Sequence, residues 1–233
     1  MSAYDVVAEA YAADNDRSYA NAYYERPATL ALAGDVTGRR VLDAGCGAGP
    51  LFAALRDRGA VVSGFDVGAG MVRQARLRLG ADADVRVADL AGPLPFPDGG
   101  FDDVIASLVL HYLRDWGPAL AELRRVLRPG GRLIASVNHP AAGYSDELVA
   151  GRRPDHFTTW AQEAAWPVGD GVVELTFWHR SLHAMTDAFT AAGFRLARIS
   201  EPQPLPEARD LFPDEFAHYE GAPNFLFFVL HAD

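Results

Sequence analysis

Three glycines and a carboxylate stand close together in the segment VLDAGCGAGP, residues 41–50. Glycines at positions 45, 47 and 49 carry no side chain, so a ligand can approach the backbone closely there. A helix that begins after such a turn offers unpaired N–H groups and a partial positive charge. Asp43 adds a negative charge just before the turn. The segment therefore predicts a ligand-binding turn between a strand and a helix, although Asp43 can also serve as a helix cap.

Three kinds of ligand compete for this turn. A triphosphate loop needs a lysine followed by serine or threonine after the last glycine, but Pro50 and Leu51 stand there. A dinucleotide turn has the pattern G-x-G-x-x-G, and Pro50 occupies its third glycine position. A carboxylate beside a pyrophosphate in a partly dry site costs on the order of a few kcal/mol. Asp43 and Pro50 therefore disfavour a nicotinamide oxidoreductase.

A ligand that has an ammonium group and no phosphate is instead attracted by Asp43. S-adenosylmethionine combines an amino acid, a sulfonium and an adenosine. Its carboxylate can use the N-terminus of the helix, and its ribose diol can use an acid at the end of the second strand. Asp66 stands 23 residues after Asp43, near the spacing of about 20 expected for a ribose-holding carboxylate.

Strands and helices alternate in the part of the chain that must position these residues. Nearly continuous apolar strands separated by helices are typical of a parallel sheet covered on both faces, which is a doubly wound α/β fold. Ligands bind such sheets beyond the carboxyl ends of the strands. The residues expected at this edge are Asp43, Asp66, Asp89, Ser107 to His111, Asn138 and His139.

The two ends of the chain have a different character. Residues 1–35 are predicted as helices, with Pro27 interrupting the second one. Residues 140–170 lack a clear period and are predicted as a loop-helix insertion, and residues 201–223 are predicted as a proline-rich loop. VVELTFWHR, RLARIS and NFLFFVL are predicted as strands, with a helix in SLHAMTDAFTAAGF.

Composition limits the classes of partner. The net charge of −10, with no Lys/Arg block, argues against nucleic acid. The single cysteine, Cys46, excludes an internal disulfide and a cysteine metal cluster, and no metal is expected. Neither a signal peptide nor a run of 18 apolar residues is visible. We therefore expect a cytoplasmic monomer or homodimer that does not contact a membrane.

Four segments resemble, in order, the motifs of class I S-adenosylmethionine-dependent methyltransferases of the small-molecule, methyltransferase-11-like type. They are VLDAGCGAG, GFDVGAGMVRQA, ADLAGPLPFPDGGFDDVIASLVLHYL and ELRRVLRPGGRL, within residues 41–133. The resemblance implies a Rossmann-like sheet of seven strands, the last antiparallel. It also implies one domain, 1–233, divided into an N-terminal helical lid (1–35), a cofactor-binding core (36–138) and a substrate-cap insertion with the C-terminal strands (139–233).

The resemblance also implies which residues bind the cofactor. The methionine end is assigned to the glycine turn, the ribose to Asp66, and the adenine to the segments around Met71 and Asp89. Cys46 can instead be a space-filler and Met71 a core residue. The full set is Tyr11, Asp43, Gly45, Cys46, Gly47, Gly49, Asp66, Val67, Met71, Ala88, Asp89, Leu90, Ser107 and Leu108.

The expected chemistry is an in-line displacement at the methyl group, for which the protein mainly holds the acceptor in place. A base is needed only if the acceptor must lose a proton, and His111 and His139 are the candidates. An apolar or aromatic acceptor with oxygen, nitrogen or carbon as the methylated atom is expected, bound by Tyr19, Tyr23, His111, His139, Phe157, Trp160, Trp178 and His179. Trp166 adds to the aromatic residues expected near the acceptor. The alternative is a cofactor-binding protein with a cyclase-like or regulatory role that does not methylate.

Overall fold

The computed structural model describes residues 7–168 and 171–233. Residues 1–6 of the predicted lid and residues 169–170 of the predicted insertion lie outside the described residues. The elements are, in chain order, α1 (Ala8–Asn15), a π-helix (Asn21–Glu25), α2 (Arg26–Ala33), β1 (Arg40–Ala44), α3 (Pro50–Asp57), β2 (Val61–Asp66), α4 (Ala69–Leu79), β3 (Val85–Val87), β4 (Phe101–Ser107), a 3-10 turn (Leu110–Tyr112), α5 (Gly117–Val126), β5 (Leu127–Asn138), α6 (Pro140–Val149), β6 (Trp160–Val168), β7 (Gly171–His179), α7 (Leu182–Ala191), β8 (Phe194–Ser200), α8 (Ala208–Leu211), α9 (Pro213–Tyr219) and β9 (Phe225–Ala232).

Seven of these strands form one sheet in the order β3-β2-β1-β4-β5-β9-β8. The five strands from β1 to β5 pair in parallel, and β9 runs antiparallel to both β5 and β8. The predicted doubly wound, seven-stranded, mostly parallel sheet is thereby confirmed. The strand order reverses between β1 and β4, and a crevice forms beyond the carboxyl ends of strands at such a point.

Helices cover both faces of the sheet because neighbouring strand residues point to opposite sides. In β1, Leu42 packs into the cluster built with α5 and α7, whereas Val41 packs with α2 and α3. In β4, Val104 and Ile105 divide in the same way. Both faces of the central strands are dry, which explains why these strands read as continuous apolar runs.

Residues 160–168 depart from the sequence expectation. They form β6, which pairs antiparallel with β7 in a separate two-stranded sheet, so only the helical half of the predicted loop-helix insertion is correct. One face of the hairpin buries Val168, Val173, Leu175 and Phe177, together with residues of α1 and the 3-10 turn. This burial stabilises a strand in β6 that its own alanine-rich sequence does not indicate.

The segment 201–223 also differs from its prediction as a loop, because it contains α8 and α9. Pro27 lies at the first turn of α2, directly after the π-helix, and the backbone of Glu25 and Arg26 stays helical there, so the helix changes type before Pro27 and is not split as predicted. Within the described ranges, no helix combines the length and the apolar character needed to span a bilayer.

Candidate active site

A cavity of about 480 Å³ lies where the strand order reverses between β1 and β4. Its volume is within the range of about 300–1,000 Å³ that small-molecule sites have. Thirteen of the fourteen predicted cofactor residues line it, the exception being Gly49. They are Tyr11, Asp43, Gly45, Cys46, Gly47, Asp66, Val67, Met71, Ala88, Asp89, Leu90, Ser107 and Leu108.

The three glycines of the turn are needed for different reasons, although all have positive φ angles. A Cβ at Gly45 would lie 2.6 Å from Cγ2 of Val109, and one at Gly49 would lie 2.9 Å from Cδ1 of Leu79. A Cβ at Gly47 would meet nothing within 4 Å. Gly45 and Gly49 therefore permit packing, whereas Gly47 leaves open space beside the backbone.

Asp43 is the buried acid of the turn, with 1% of its surface exposed. The Phe52 N–H in the first turn of α3 faces its carboxylate and favours the ionised form, which opposes the larger effect of burial. Its Oδ2 is buried and has no hydrogen-bond partner among the described residues. Burial, with the nearby carboxylates of Glu25 and Asp66, raises the pKa of Asp43 to about 8. A buried acid with an unpartnered oxygen fits a cationic group of a ligand.

Asp66 ends β2 and is held by the backbone. Its Oδ2 accepts the Gly47 N–H at 2.9 Å and its Oδ1 accepts the Gly68 N–H at 2.7 Å. A carboxylate oxygen can accept more than one hydrogen bond, so these contacts are compatible with a ligand hydroxyl at the same group. Asp89 follows β3, the strand beside β2 in the sheet. It is exposed, and its Oδ1 accepts the Ala91 N–H at 2.9 Å. These two acids fit the ribose and adenine ends of the expected cofactor.

Three charged residues of the cavity were not predicted: the neighbours Glu25 and Arg26, and the exposed Glu174. Glu25 is buried, and its Oε1 accepts hydroxyl groups of Thr29, Ser107 and Ser136 at 2.7, 2.8 and 2.6 Å. It thereby ties the N-terminal helices to β4 and β5. Arg26 lines the cavity as well, donates to the Asn15 carbonyl at 2.9 Å, and has a pKa lowered by burial.

Residue types alone offer little indication of this pair. Glutamate and arginine next to a proline are typical of an exposed helix start, and only the packing of the π-helix on the sheet turns them inward. Arg26 forms no salt bridge within the described residues. A guanidinium in that situation fits a carboxylate of a ligand.

The exit of β4 also carries backbone strain. Leu108 has φ of 48°, a conformation that is rare for residues other than glycine. Its N–H donates to the carbonyl and the hydroxyl of Ser136 at 3.1 and 3.0 Å. Strain of this kind is typical of functional sites, and here it shapes the cavity wall next to Ser107.

His111 lines the cavity but is not arranged as a general base. Its Nδ1 accepts the Asn138 N–H at 3.1 Å. Because a backbone N–H only donates, the proton of the neutral ring is on Nε2. Burial lowers the pKa of His111 to about 3. The ring therefore has an N–H donor on Nε2 and accepts a proton only at strongly acidic pH.

His139 lies outside this cavity, in a small side cavity of about 20 Å³. Its Nδ1 accepts the Ala141 N–H at 3.1 Å, which caps α6, and its Nε2 is 2.8 Å from Oε1 of Glu201. Burial lowers the pKa of His139, with Glu201 opposing that effect. Both ring nitrogens have protein partners, so the structure gives His139 a structural role rather than that of the predicted base.

Most of the predicted acceptor residues are elsewhere. Tyr19 and Tyr23 pack on Phe212, with ring centroids 6.1 and 5.1 Å apart, and Phe157 is 81% exposed. His179 stacks on Trp160 at 4.5 Å. Of the eight acceptor residues predicted, only His111 lines the main cavity, while His139, Trp178 and His179 line the small one.

Other aromatic residues line the main cavity instead. Phe177 is central, with its ring 5.2 Å from Tyr112 and 5.6 Å from Trp166 between centroids. Phe225, at the start of β9, contributes from the other side. Trp166 was expected near the acceptor, but Phe177 and Phe225 were not, because the position of Phe177 depends on the β6–β7 hairpin, of which only one strand was predicted.

Cys46 and Met71 are buried and also line the cavity. Burial, followed by Asp43 and Asp66, raises the pKa of the Cys46 thiol well above its usual value. The thiol is therefore neutral and fills space near Gly64. Met71 is 2% exposed and packs under α1, yet it also lines the cavity.

Comparison with known proteins identifies the family. A family model described as a methyltransferase domain matches residues 42–135. A demethylmenaquinone methyltransferase of Renibacterium salmoninarum is 36% identical over 188 residues, covering 73% of this chain and 78% of the relative. A malonyl-[acyl-carrier protein] O-methyltransferase of Serratia marcescens is 39% identical over 119 residues, covering 51% of this chain and 45% of the relative. A solved S-adenosylmethionine-dependent methyltransferase from Mesorhizobium loti is 26% identical with a TM-score of 0.68, covering 88% of this chain and 96% of that one.

The chain therefore belongs to the class I S-adenosylmethionine-dependent methyltransferases, and the predicted family and its cofactor are confirmed. The chain spans about half the length of the first curated relatives it matches, at 45%, 54% and 47%. The orphaned oxygen of Asp43, the open space at Gly47 and the half-buried cation of Arg26 all fit this cofactor.

Proposed function

We propose that this protein transfers a methyl group from S-adenosylmethionine to an apolar, aromatic small molecule. The observation that supports this most is the continuity of the cavity. All of the acids, the glycine turn, and the rings of Tyr112, Trp166, Phe177 and Phe225 line it. In the proposed arrangement the acids and the glycine turn form one end, and these rings form the other. A cofactor held at the first end therefore presents its reactive group toward an apolar chamber.

Different residues at the first end bind different groups of the cofactor. Oδ2 of Asp43 pairs with the ammonium group, and Arg26 with the carboxylate. The open backbone at Gly47 receives the methionine chain. Asp66 accepts the ribose hydroxyls, and the Asp89 carboxylate accepts from the adenine amino group.

When bound, the cofactor supplies a methyl group that its sulfonium already activates. The chain contributes position and a dry environment. Holding an acceptor atom about 3 Å from the reacting carbon lowers the barrier by roughly 7–11 kcal/mol. The rings of Tyr112, Trp166 and Phe177, which are tilted by 38° and 47° about Phe177, offer apolar surface on which a flat acceptor can pack.

Two parts of the chain surround this arrangement. Tyr11 on α1 lies against Met71 and beside the β6–β7 hairpin, so α1 packs with both ends of the cavity. We also propose the predicted division into an N-terminal lid (1–35), a cofactor-binding core (36–138), and residues 139–233, which comprise the substrate-cap insertion and the C-terminal strands. In this arrangement the hairpin is the part of the cap that contacts the acceptor.

Methyl transfer is tested with cofactor labelled at the methyl carbon and a panel of phenols, amines, thiols and carbon acids. We expect label in at least one apolar aromatic acceptor, and a loss of transfer when Phe177 is changed to Ala. Phe157→Ser is the matched control, because Phe157 is aromatic but 81% exposed. If the protein binds S-adenosylhomocysteine but transfers label to none of the four classes, the non-methylating alternative takes precedence.

A further inference from the structure

His111 has the geometry of a fixed hydrogen-bond donor. Only 4% of its surface is exposed. The Asn138 N–H occupies Nδ1 at 3.1 Å, so the ring proton is on Nε2. The ring lies edge-on to Phe177 at 5.1 Å and 89°, and edge-on to Tyr112 at 4.7 Å and 71°. These contacts fix the plane in which the Nε2–H points.

This Nε2–H is available to a ligand. It has no hydrogen-bond partner among the described residues. It is also not one of the fully buried side-chain atoms that lack a partner there, so this nitrogen remains accessible. The residue lines both the main cavity and the small side cavity. A buried donor that reaches cavity space without a protein partner is stabilised when a ligand supplies an acceptor atom.

The apolar end of the cavity offers no base beside this donor. Its lining residues Tyr112, Asn138, Trp166, Phe177 and Phe225 bear no carboxylate or free imidazole. A tyrosine hydroxyl is neutral near pH 7. Glu174 also lines the cavity, but it is exposed, and the alternation along β7 places its side chain on the face opposite Phe177.

The remaining titratable groups packed near His111 are engaged elsewhere. His139 contacts Glu201, and His179 donates to the His156 carbonyl at 3.0 Å. Arg180 donates to the Arg114 carbonyl at 2.7 Å. Glu25 is at the cofactor end, where its Oε1 accepts three hydroxyl groups.

We propose that the acceptor is an acidic hydroxyl compound, a phenol or an enol, that enters as its oxyanion and is held by the Nε2–H of His111. This inference rests on the proposed function and specifies its substrate class. The burial that holds the pKa of His111 at about 3 keeps the ring neutral, so the donor persists across the physiological pH range.

The transfer then needs no protein base. A lone pair of the oxyanion, or of the carbon conjugated with it, forms the new bond to the methyl carbon. The bond from that carbon to sulfur breaks, and its electron pair remains on sulfur as a thioether. The negative charge of the acceptor and the positive charge of the sulfonium cancel. An oxygen product needs no proton transfer, and a carbon product loses its ring proton to solvent afterwards.

The first test measures binding rather than turnover. A nitrophenol is added to the protein saturated with S-adenosylhomocysteine, and its absorbance is followed against pH. We expect the bound phenol to ionise about one to two pH units below the free phenol, because a hydrogen bond to a charged group favours the ionised form. The shift is lost in His111→Leu and retained in His111→Gln, which keeps an amide N–H donor.

The second test compares phenols of different acidity as acceptors. We expect the midpoint of the kcat/KM against pH profile to move with the ionisation of each phenol. A midpoint that stays at one pH for all phenols, and disappears in Glu25→Gln, overturns the inference in favour of a protein base. Equal transfer to neutral amines without any absorbance shift also overturns it.

Failure of the proposed function gives a different pattern. In that case the phenol shift appears in the wild type and in His111→Gln, but no acceptor gains label. The affinity for S-adenosylhomocysteine, measured on each variant, shows that His111→Leu retains its fold. If that variant does not fold, the wild-type shift and the His111→Gln comparison decide the result.

Discussion

Replacing Asp43 with asparagine tests the electrostatics of the site, because stability and binding are expected to change in opposite directions. The pKa of Asp43 is raised from 3.8 to about 8 by burial and by the carboxylates of Glu25 and Asp66. The folded state therefore binds a proton more tightly than the unfolded state between these two values. The stability associated with this group is complete below its unfolded pKa of 3.8 and is lost as the pH rises through about 8.

At pH 7, about three pH units above the unfolded pKa, the free energy of unfolding has fallen by roughly 4 kcal/mol, because each pH unit contributes about 1.36 kcal/mol. The substituted asparagine side chain would keep an oxygen for the Phe52 N–H, but burial of its amide costs about 1–2 kcal/mol. We therefore expect Asp43→Asn to raise the free energy of unfolding by roughly 2–3 kcal/mol. For a chain of this length the melting temperature rises by about 4–12 °C.

The same variant is expected to lose the ammonium partner. A hydrogen bond to a charged group contributes about 1.5–3 kcal/mol, so the Kd for S-adenosylhomocysteine rises roughly 10- to 150-fold. Methylthioadenosine has the same nucleoside but no amino acid, and its affinity should be unchanged. This matched ligand separates the loss of the Asp43 contact from a general distortion of the cavity.

Asp103→Asn is the matched protein control. Asp103 is also fully buried, but Arg39 and Arg132 donate to its carboxylate, and its pKa is lowered. Its loss leaves two arginines unpaired and lowers the free energy of unfolding by roughly 3 kcal/mol. Urea titrations at pH 5, 7 and 9 measure both variants. An Asp43→Asn protein that is less stable than wild type at pH 9, or binds S-adenosylhomocysteine equally well, refutes the reasoning.

The remaining predictions concern the same cavity. The affinity for S-adenosylhomocysteine should fall about tenfold for each pH unit below 8, since Asp43 must be ionised to pair with the ammonium; a flat calorimetric profile from pH 6 to 8 contradicts this. Arg26→Gln should lower the affinity for S-adenosylhomocysteine roughly tenfold or more and leave the affinity for methylthioadenosine unchanged. An equal loss of affinity for both ligands excludes Arg26 as the carboxylate partner. Gly47→Ala should lower the free energy of unfolding by about 1–2 kcal/mol because of its positive φ, and it should also block ligand binding. Gly45→Ala should chiefly destabilise the protein, because its Cβ would lie 2.6 Å from Val109. Thermal melts with and without S-adenosylhomocysteine distinguish the two variants.

The core of the fold could be predicted because its signals are local. Apolar strands, helices ended by glycine, and the turn at residues 41–50 each depend on a few neighbouring residues. The carboxyl ends of β1, β2 and β4 then bring Asp43, Asp66 and Ser107 to one edge whatever the rest of the chain does. For this reason nearly all the predicted cofactor residues line one cavity.

The acceptor end could not be predicted because it depends on long-range packing. Phe177 and Trp166 reach the cavity only through the pairing of β6 with β7, and Phe225 only through the insertion of β9 between β5 and β8. Tyr19 and Tyr23 share the composition expected of an acceptor site, yet they pack on Phe212. Counting aromatic residues therefore indicates that an apolar chamber exists without indicating which rings line it.

The histidines show a second limit of the sequence. Their positions after β4 and β5 were correct, but their chemistry depends on a few hydrogen bonds. The Asn138 N–H fixes the tautomer of His111, and Ala141 and Glu201 occupy both nitrogens of His139. A backbone donor cannot be recognised from residue types, so the sequence predicted bases where the structure has a donor and a helix cap.

In the proposed function, a buried, largely protonated acid at Asp43 receives the ammonium group of an amino-acid nucleoside. Calorimetric titration of S-adenosylhomocysteine at pH 7, in two buffers with different ionisation enthalpies, tests it most directly. We expect one site and the release of about 0.9 proton per ligand bound, since a group with a pKa of about 8 must ionise on binding. Binding of NADH without binding of S-adenosylhomocysteine, or binding with no proton released, would contradict the claim.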